Sequence, residues 1–115
     1  MRGLAGQVVA VTGAGGGIGL AVCERLREEG ATVYALDLAA DPNSERELSV
    51  DVTNPDSLAG ARDQIIAREG KVDSIVAAAG VVEDDVAAED MAPEEFDRTM
   101  NVNLRGVFFH CTDVR

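Results

Sequence analysis

A glycine-rich stretch near the start of the chain has the residue types and spacing that suit a phosphate-containing ligand. Residues 8–19 read VVAVTGAGGGIG. Four consecutive apolar residues predict a strand buried on both faces, and after the glycines Ile18, Val22 and Leu26 recur at helical spacing. The amides and the positive dipole end of a helix that opens in this way attract an anion. The pattern therefore predicts a strand, a tight turn and a helix that together bind a diphosphate.

Three glycines of this turn have separate expected roles. Gly13 would allow the sharp turn, Gly17 would let a pyrophosphate approach the backbone, and Gly19 would let the helix pack closely on the strand. Glycine alone is weak evidence, because flexible loops also collect it. Here Asp37 lies 18 residues after Gly19, at the end of a second apolar run. A carboxylate at that point accepts hydrogen bonds from a ribose diol and repels a 2′-phosphate, which predicts NAD in preference to NADP.

The rest of the chain alternates short apolar runs with helical patterns, which predicts a parallel sheet with helices on both faces. Strands are expected at 7–12, 32–37, 48–50 and 72–79, and helices at 17–29, from Pro55 to a stop at Gly70, and from Pro93 onward. The expected fold is α/β, a Rossmann-type doubly wound parallel sheet that ends after about four strands in the order 3-2-1-4. We expect residues 1–115 to form a single NAD-binding domain.

Composition and charge exclude several classes of partner. With 115 residues, 46% of them hydrophobic and 27% charged, the chain is typical of one globular domain. Ten basic against 21 acidic residues give a net charge of −11, which repels nucleic acid and anionic membranes. No apolar run approaches the roughly 20 residues that span a bilayer, and the first residues have no signal-peptide pattern. Cys23 and Cys111 have no partner at redox or zinc spacing, so we expect reduced thiols and a cytoplasmic location.

Residues 12–19, TGAGGGIG, resemble the Thr-Gly-x-x-x-Gly-x-Gly signature of the short-chain dehydrogenases/reductases, and the resemblance continues over all 115 residues. Asp51 and Val52 match the pair that contacts adenine in that family, although Asp51 could instead simply begin a turn before Thr53. Residues 77–80, AAAG, stand where the family has Asn-Asn-Ala-Gly, so Ala78 could contact a cofactor only through its backbone. The cofactor-binding residues that this reading implies are Gly13, Gly15, Gly16, Gly17, Ile18, Gly19, Asp37, Leu38, Asp51, Val52, Ala78 and Gly80.

The catalytic groups of the family are mostly missing from these residues. Residues 101–106, NVNLRG, resemble its Val-Asn-Leu-x-Gly segment, in which Asn103 takes the position of a proton-relay asparagine; an ordinary helix asparagine is the alternative. The family's later serine and Tyr-x-x-x-Lys pair have no counterpart, since the only tyrosine is Tyr34, inside a strand, and the only lysine is Lys71. His110 has no acid placed to orient it and is interpreted as structural or exposed.

By this resemblance the chain looks like the N-terminal, cofactor-binding half of an NAD-dependent oxidoreductase. The full enzyme would transfer hydride between nicotinamide and an alcohol or carbonyl substrate, and these residues alone would be inactive. Two alternatives remain open, a non-catalytic NAD-binding module and a truncated fragment that neither folds nor binds well.

The last third of the chain carries two further patterns. Residues 83–90 hold five acids, which we interpret as a solvated loop without a metal, because adjacent residues rarely converge on one ion. An apolar stripe after Pro93 is interpreted as core, and its members are Phe96, Met100, Leu104, Val107 and Cys111. An unpaired edge at the fourth strand, or an uncovered apolar face on this last helix, would favour self-association.

Overall fold

The computed structural model describes residues 3–81 and 86–108. Within them, four parallel strands form one sheet in the order β3-β2-β1-β4, which confirms the expected order. The strands are β1 (Val8–Thr12), β2 (Thr32–Asp37), β3 (Glu47–Ser49) and β4 (Ser74–Ala77). Strand β4 is shorter than the expected 72–79, because its pairing with β1 covers only Val9 to Thr12.

Among the described residues, three α-helices connect or follow the strands: α1 (Gly17–Glu28), α2 (Pro55–Glu69) and α3 (Pro93–Met100). A π-helical turn, Asn101–Arg105, continues α3 and is called the wide turn below, and a short 3-10 turn spans Ala88–Asp90. Local signals mark the helix ends, and α2 stops at Gly70 as predicted. The Asn54 side chain accepts a hydrogen bond from the Asp56 amide at the start of α2, and Gly30 and Gly70 take positive φ values of 88° and 80° after α1 and α2.

The core has two layers, one on each face of the sheet. Val8 and Ala10 of β1 point to the face covered by α2, whereas Val9 and Val11 point to the face covered by α1, since successive strand residues alternate. Helix α2 contributes Leu58, Ala61 and Ile65 to the first layer. All five residues of β1 are buried, so the continuous apolar run was correctly interpreted as a central strand.

The buried face of α1 differs from the stripe that identified the helix. Gly19 and Cys23 are its buried residues, while Val22 and Leu26 are half-buried and Ile18 is 78% exposed. The close packing of Gly19 against the preceding turn sets which side of the helix meets the sheet. Cys23 lies in the core, and this burial raises the pKa of its thiol.

The expectation that the α3 stripe is core is wrong for the described residues. Phe96, Met100 and Leu104 are 54%, 39% and 59% exposed, and Val107 is half-buried. The physical reason is that, among the described residues, α3 has most of its close backbone contacts with the wide turn that continues it. Cys111 and His110 lie outside the described residues, as does part of the acidic stretch.

In the described part of the chain, no helix combines the length and the apolar character that crossing a membrane requires. A search of the same residues finds no group of three or more His, Cys, Asp or Glu side chains that could share a metal ion.

Candidate functional site

A crevice of about 240 Å³ opens at the carboxyl ends of the strands. It lies beside β1, which has β2 on one side and β4 on the other, so the strand order changes direction there. In open parallel sheets, ligands usually bind at such a point. The crevice is lined by Gly13, Gly16, Leu36, Asp37, Leu38, Val50, Asp51, Val52, Ala78, Ala79, Gly80, Val81 and Val102. Eight of the predicted cofactor-binding residues are among them.

The glycine turn, residues 13–19, is built so tightly that two of its glycines have no substitute. Gly13 has a φ of 67°, and a Cβ there would lie 2.6 Å from the Ala78 carbonyl oxygen. A Cβ on Gly19 would lie 2.0 Å from the Gly13 oxygen. The sharp turn and the close helix packing expected of these two residues are therefore observed.

The first turn of α1 presents backbone donors that the helix does not use. The Leu20 amide donates to the Gly16 oxygen at 2.8 Å, so the amides of Gly17, Ile18 and Gly19 precede the first helical hydrogen bond. No side chain in the described part of the protein caps the helix at Gly16, and the first turn of the helix has no acidic residue. Among the described residues no atom lies within 4 Å of a Cβ built on Gly17. The unused amides, the positive end of the helix dipole and the open space at Gly17 together suit an anion.

Asp37 lies against the glycine turn, as predicted. Its Oδ2 accepts a hydrogen bond from the Gly15 amide at 2.9 Å, and its Oδ1 accepts one from the Ala39 amide at 3.2 Å. The register explains this arrangement, because Thr12 of β1 pairs with Leu36 of β2 and the residues that follow each strand become neighbours. The half-buried carboxylate therefore lines the crevice beside Gly13 and Gly16.

Asp51 begins the turn that the sequence offered as an alternative, and it also lines the crevice. Its Oδ1 accepts hydrogen bonds from the Thr53 amide at 2.9 Å and the Thr53 hydroxyl at 2.6 Å. These bonds, the hydroxyl first, hold the pKa of Asp51 below its ordinary value. In the described part of the chain Oδ2 accepts no hydrogen bond, so one carboxylate oxygen remains available to a ligand.

Asn103 makes a pair of hydrogen bonds with the backbone that follows β4. Its Oδ1 accepts from the Val81 amide and its Nδ2 donates to the Val81 oxygen, both at 2.7 Å. Sequence reasoning missed this pairing, because the residues are 22 positions apart and no local pattern marks the contact. Asn103 does not line the crevice, whereas its neighbour Val102 does. The role of Asn103 in a proton relay stays a prediction.

The only tyrosine and the only lysine both lie away from the crevice. The buried Tyr34 hydroxyl donates to Glu69 Oε1 at 2.9 Å, and burial, followed by the adjacent carboxylate, raises its pKa. Lys71 pairs with Asp73 at 2.9 Å. Neither side chain is positioned to act on a ligand in the crevice, in agreement with the sequence.

The strand order, the crevice at the reversal point and the glycine turn beside an acid define a Rossmann-type α/β fold. The short chain dehydrogenase family matches residues 7–115, and the chain therefore belongs to this oxidoreductase family. Members of the family bind nicotinamide cofactors.

Curated relatives agree with this assignment. D-threitol dehydrogenase from Mycolicibacterium smegmatis is 33% identical over 123 aligned positions, which cover 96% of this chain and 47% of that protein. Cyclopentanol dehydrogenase from a Comamonas species is 35% identical, over 89% of this chain and 45% of that protein. The chain thus spans about half the length of the curated relatives it matches.

Solved structures show the same relation. The ligand-free aldohexose dehydrogenase of Thermoplasma acidophilum superposes with a TM-score of 0.87 at 35% identity, covering 96% of this chain and 44% of that one. The 3-ketoacyl-(acyl-carrier-protein) reductase from Brucella melitensis, solved with NADH, gives 0.87 at 32% identity, over 95% and 49%. The similarity therefore extends over nearly all of this chain and the matching half of each neighbour.

Proposed function

We propose that these 115 residues form the cofactor-binding half of an NAD-dependent oxidoreductase that exchanges hydride with an alcohol or carbonyl substrate. The observation that carries the proposal is the Asp37 carboxylate, held 2.9 Å from the Gly15 amide at the mouth of the glycine turn. Membership of the family supports it, as does the NADH-bound state of one structural neighbour. In this proposal residues 1–115 are one NAD-binding domain.

The residues of the crevice have distinct proposed tasks. The amides of Gly17 and Ile18 bind the diphosphate, with Gly19 keeping the helix close to the turn. Asp37 accepts hydrogen bonds from the adenosine ribose, and Leu38 follows it along the same wall. When bound, the nicotinamide carries the hydride, and the protein orients it.

The opposite walls of the crevice complete the proposed site. Asp51 and Val52 receive the adenine, the carboxylate by accepting from its amino group and Val52 by lying against the ring. The backbone at Ala78 and the side-chain-free surface at Gly80 leave room for the cofactor on the β4 side. Asn103 Oδ1 would lie 3.3 Å from a Cβ on Gly80, and this proximity supports a positioning task beside its predicted relay role.

The preference for NAD over NADP is tested by titration calorimetry with both cofactors. Asp37 would lie beside the 2′-phosphate of NADP, and Gly16 supplies no basic side chain to offset that repulsion. We expect tighter NAD binding in the wild type and a reduced preference in Asp37→Ala. Asp63→Ala, which removes the same charge from an exposed position on α2, should keep the preference. Tighter binding of NADP by the wild type would contradict the proposal.

Activity and folding are tested by thermal melts with and without NAD, together with an assay of NADH absorbance. We expect a cooperative melt that NAD shifts upward and no hydride transfer above background, because the residues present lack the Tyr-x-x-x-Lys pair. Turnover would contradict the inferred absence of acid–base groups, and the lack of a melt would favour a fragment that cannot fold alone.

A non-catalytic NAD-binding module would give the same melts. The coding sequence downstream of residue 115 separates the two readings, since the oxidoreductase reading requires a Ser and a Tyr-x-x-x-Lys there. Self-association through the edge of β4 or the apolar face of α3 is a further proposal, supported by the exposure of Phe96 and Leu104. The cytoplasmic location and the exclusion of nucleic acid and membrane partners stay predictions.

A further inference from the structure

The wide turn, Asn101–Arg105, contacts both walls of the crevice. On one side Asn103 holds the Val81 backbone through its two hydrogen bonds of 2.7 Å. On the other side Arg105 Nη1 donates to the Thr53 carbonyl oxygen at 3.1 Å, in the connection between β3 and α2. Val102, next to Asn103 in the chain, lines the crevice itself. One short segment therefore joins two loops that are distant in sequence.

Gly106, directly after the wide turn, adds a contact that leaves no space for a side chain. A Cβ on this buried residue would lie 2.9 Å from the Val52 carbonyl oxygen and 3.0 Å from Val52 Cγ2. The helix backbone consequently lies directly against Val52, which lines the crevice. A side chain at Gly106 would therefore have to displace Val52 or the helix backbone.

A continuous set of contacts runs from the wide turn to Asp51. Arg105 holds the carbonyl of Thr53, and Thr53 in turn donates two hydrogen bonds to Asp51 Oδ1. With Oδ1 occupied in this way, Oδ2 is the oxygen left to accept from a ligand. A π-helical turn is rare and occurs often at functional sites. Here it brings Asn103 to one wall and Arg105, two residues later, to the other.

We propose that Arg105 and Gly106 are positioning residues for the adenine end of the cofactor. Arg105 holds Thr53, and Thr53 in turn holds the Asp51 carboxylate. Gly106 fixes the position of Val52. Together they set the distance between Asp51 and Val52 to suit an adenine ring and its amino group. This inference rests on the proposed function, because it presumes that the crevice takes an adenine dinucleotide. It adds two residues that do not themselves touch the ligand.

The test compares binding of NAD with binding of nicotinamide hypoxanthine dinucleotide, in which an oxygen replaces the adenine amino group. We expect the wild type to prefer NAD, because Asp51 Oδ2 accepts from that amino group. Arg105→Met and Gly106→Ala should each lower this preference by roughly threefold to tenfold, since a displaced wall no longer distinguishes the two rings. Arg105→Lys keeps a charged donor and should restore part of the preference.

Two variants control for charge and for the added methyl group. Arg98→Met removes the same charge from an exposed position on α3, and Gly60→Ala adds a methyl on α2 where no described atom lies within 4 Å. Both should keep the wild-type ratio of affinities. A merely structural role for Arg105 would lower both affinities alike and leave their ratio unchanged. If Arg105→Met does not fold, the milder Arg105→Gln is measured in its place.

The outcomes separate this inference from the proposed function. An unchanged ratio in the Arg105 and Gly106 variants overturns the inference and leaves the proposed function standing. A wild-type ratio near one also overturns it, because no adenine contact would then need positioning. If the wild type binds neither dinucleotide, the proposed function itself is wrong and the inference falls with it.

Discussion

The two ends of this chain bury their apolar residues very differently. Every buried hydrophobic residue among those described lies between Val8 and Ile65, in the strands, α1, α2 and their connections. In the described part of α3 and the segment after it only Gly106 is buried, and Phe96 is 54% and Phe108 59% exposed. Both regions show helical apolar spacing. The comparison teaches that spacing predicts a helix but does not say what covers its apolar face.

The same contrast appears within the crevice. Its floor, between the glycine turn and β2, is held by backbone packing at Gly13 and Gly19 and by the Asp37 contact with Gly15. Its far wall depends on side chains that reach across, from Asn103 to Val81 and from Arg105 to Thr53. The floor should therefore tolerate no side chain at Gly13 or Gly19, whereas the wall should respond gradually to changes in these side chains.

The largest expected effect is at the glycine turn. Gly19→Ala places a Cβ about 2.0 Å from the Gly13 carbonyl oxygen, so we expect a loss of about 4 kcal/mol or more in the free energy of unfolding. Gly17→Ala is the matched control, because its Cβ meets open space. This variant should gain up to about 1 kcal/mol from helix propensity and yet bind NAD less well. Urea unfolding of both variants measures the difference, and equal stabilities would contradict the packing at Gly19.

The next effect compares the packed helix α2 with the exposed helix α3. Leu58 is 2% exposed, and Leu58→Ala should lower the free energy of unfolding by about 2 to 5 kcal/mol through the cavity it leaves. Phe96→Ala should change it by about 0.5 kcal/mol or less at low protein concentration, because little of the ring is covered. A similar loss in both variants would show that α3 is covered. A loss at Phe96 that grows with protein concentration would support self-association through this face.

The smallest expected effect is at the start of β4. Asp73 Oδ2 accepts a hydrogen bond from the Val8 amide at 2.8 Å and pairs with Lys71 at 2.9 Å. The Val8 amide first, and then Lys71, hold the pKa of Asp73 below its ordinary value of about 3.9. The carboxylate therefore stabilises the fold above that pH, and this contribution is lost as the pH falls through the lowered pKa of the folded state.

Urea unfolding at several pH values between about 6 and 2.5 tests this linkage. We expect the free energy of unfolding of the wild type to fall over the acid part of this range and that of Asp73→Asn to fall less. Part of the dependence should remain in the variant, since Asp51 also has a lowered pKa. Identical pH profiles would show that the contact with Val8 contributes nothing to stability.

The sequence predicted most of the fold and the floor of the site, because both depend on patterns that are local or repeat in register. The run before Gly13 predicted β1, the glycines predicted the turn, and Asp37 followed from the end of the next strand. The family resemblance identified Asp51 and Val52, and the structure brings both to the crevice. The doubt about Asp51 was also justified, since it does begin a turn with Thr53.

Other features followed from no local pattern. The partner of Asn103 is 22 residues away and that of Arg105 is 52 residues away, and the wide turn that directs them has no sequence signal. The exposure of Phe96 was missed for a related reason, because a helix is amphipathic whether or not another element covers it.

By itself, then, the sequence determined which segments become strands and helices and which residues end them, since steric limits and periodicity act over a few neighbouring residues. Only the tertiary structure decided which side chains join the two walls of the crevice and which apolar face lacks a cover. Those outcomes depend on distances between segments far apart in the chain, and these exist only after the sheet has assembled.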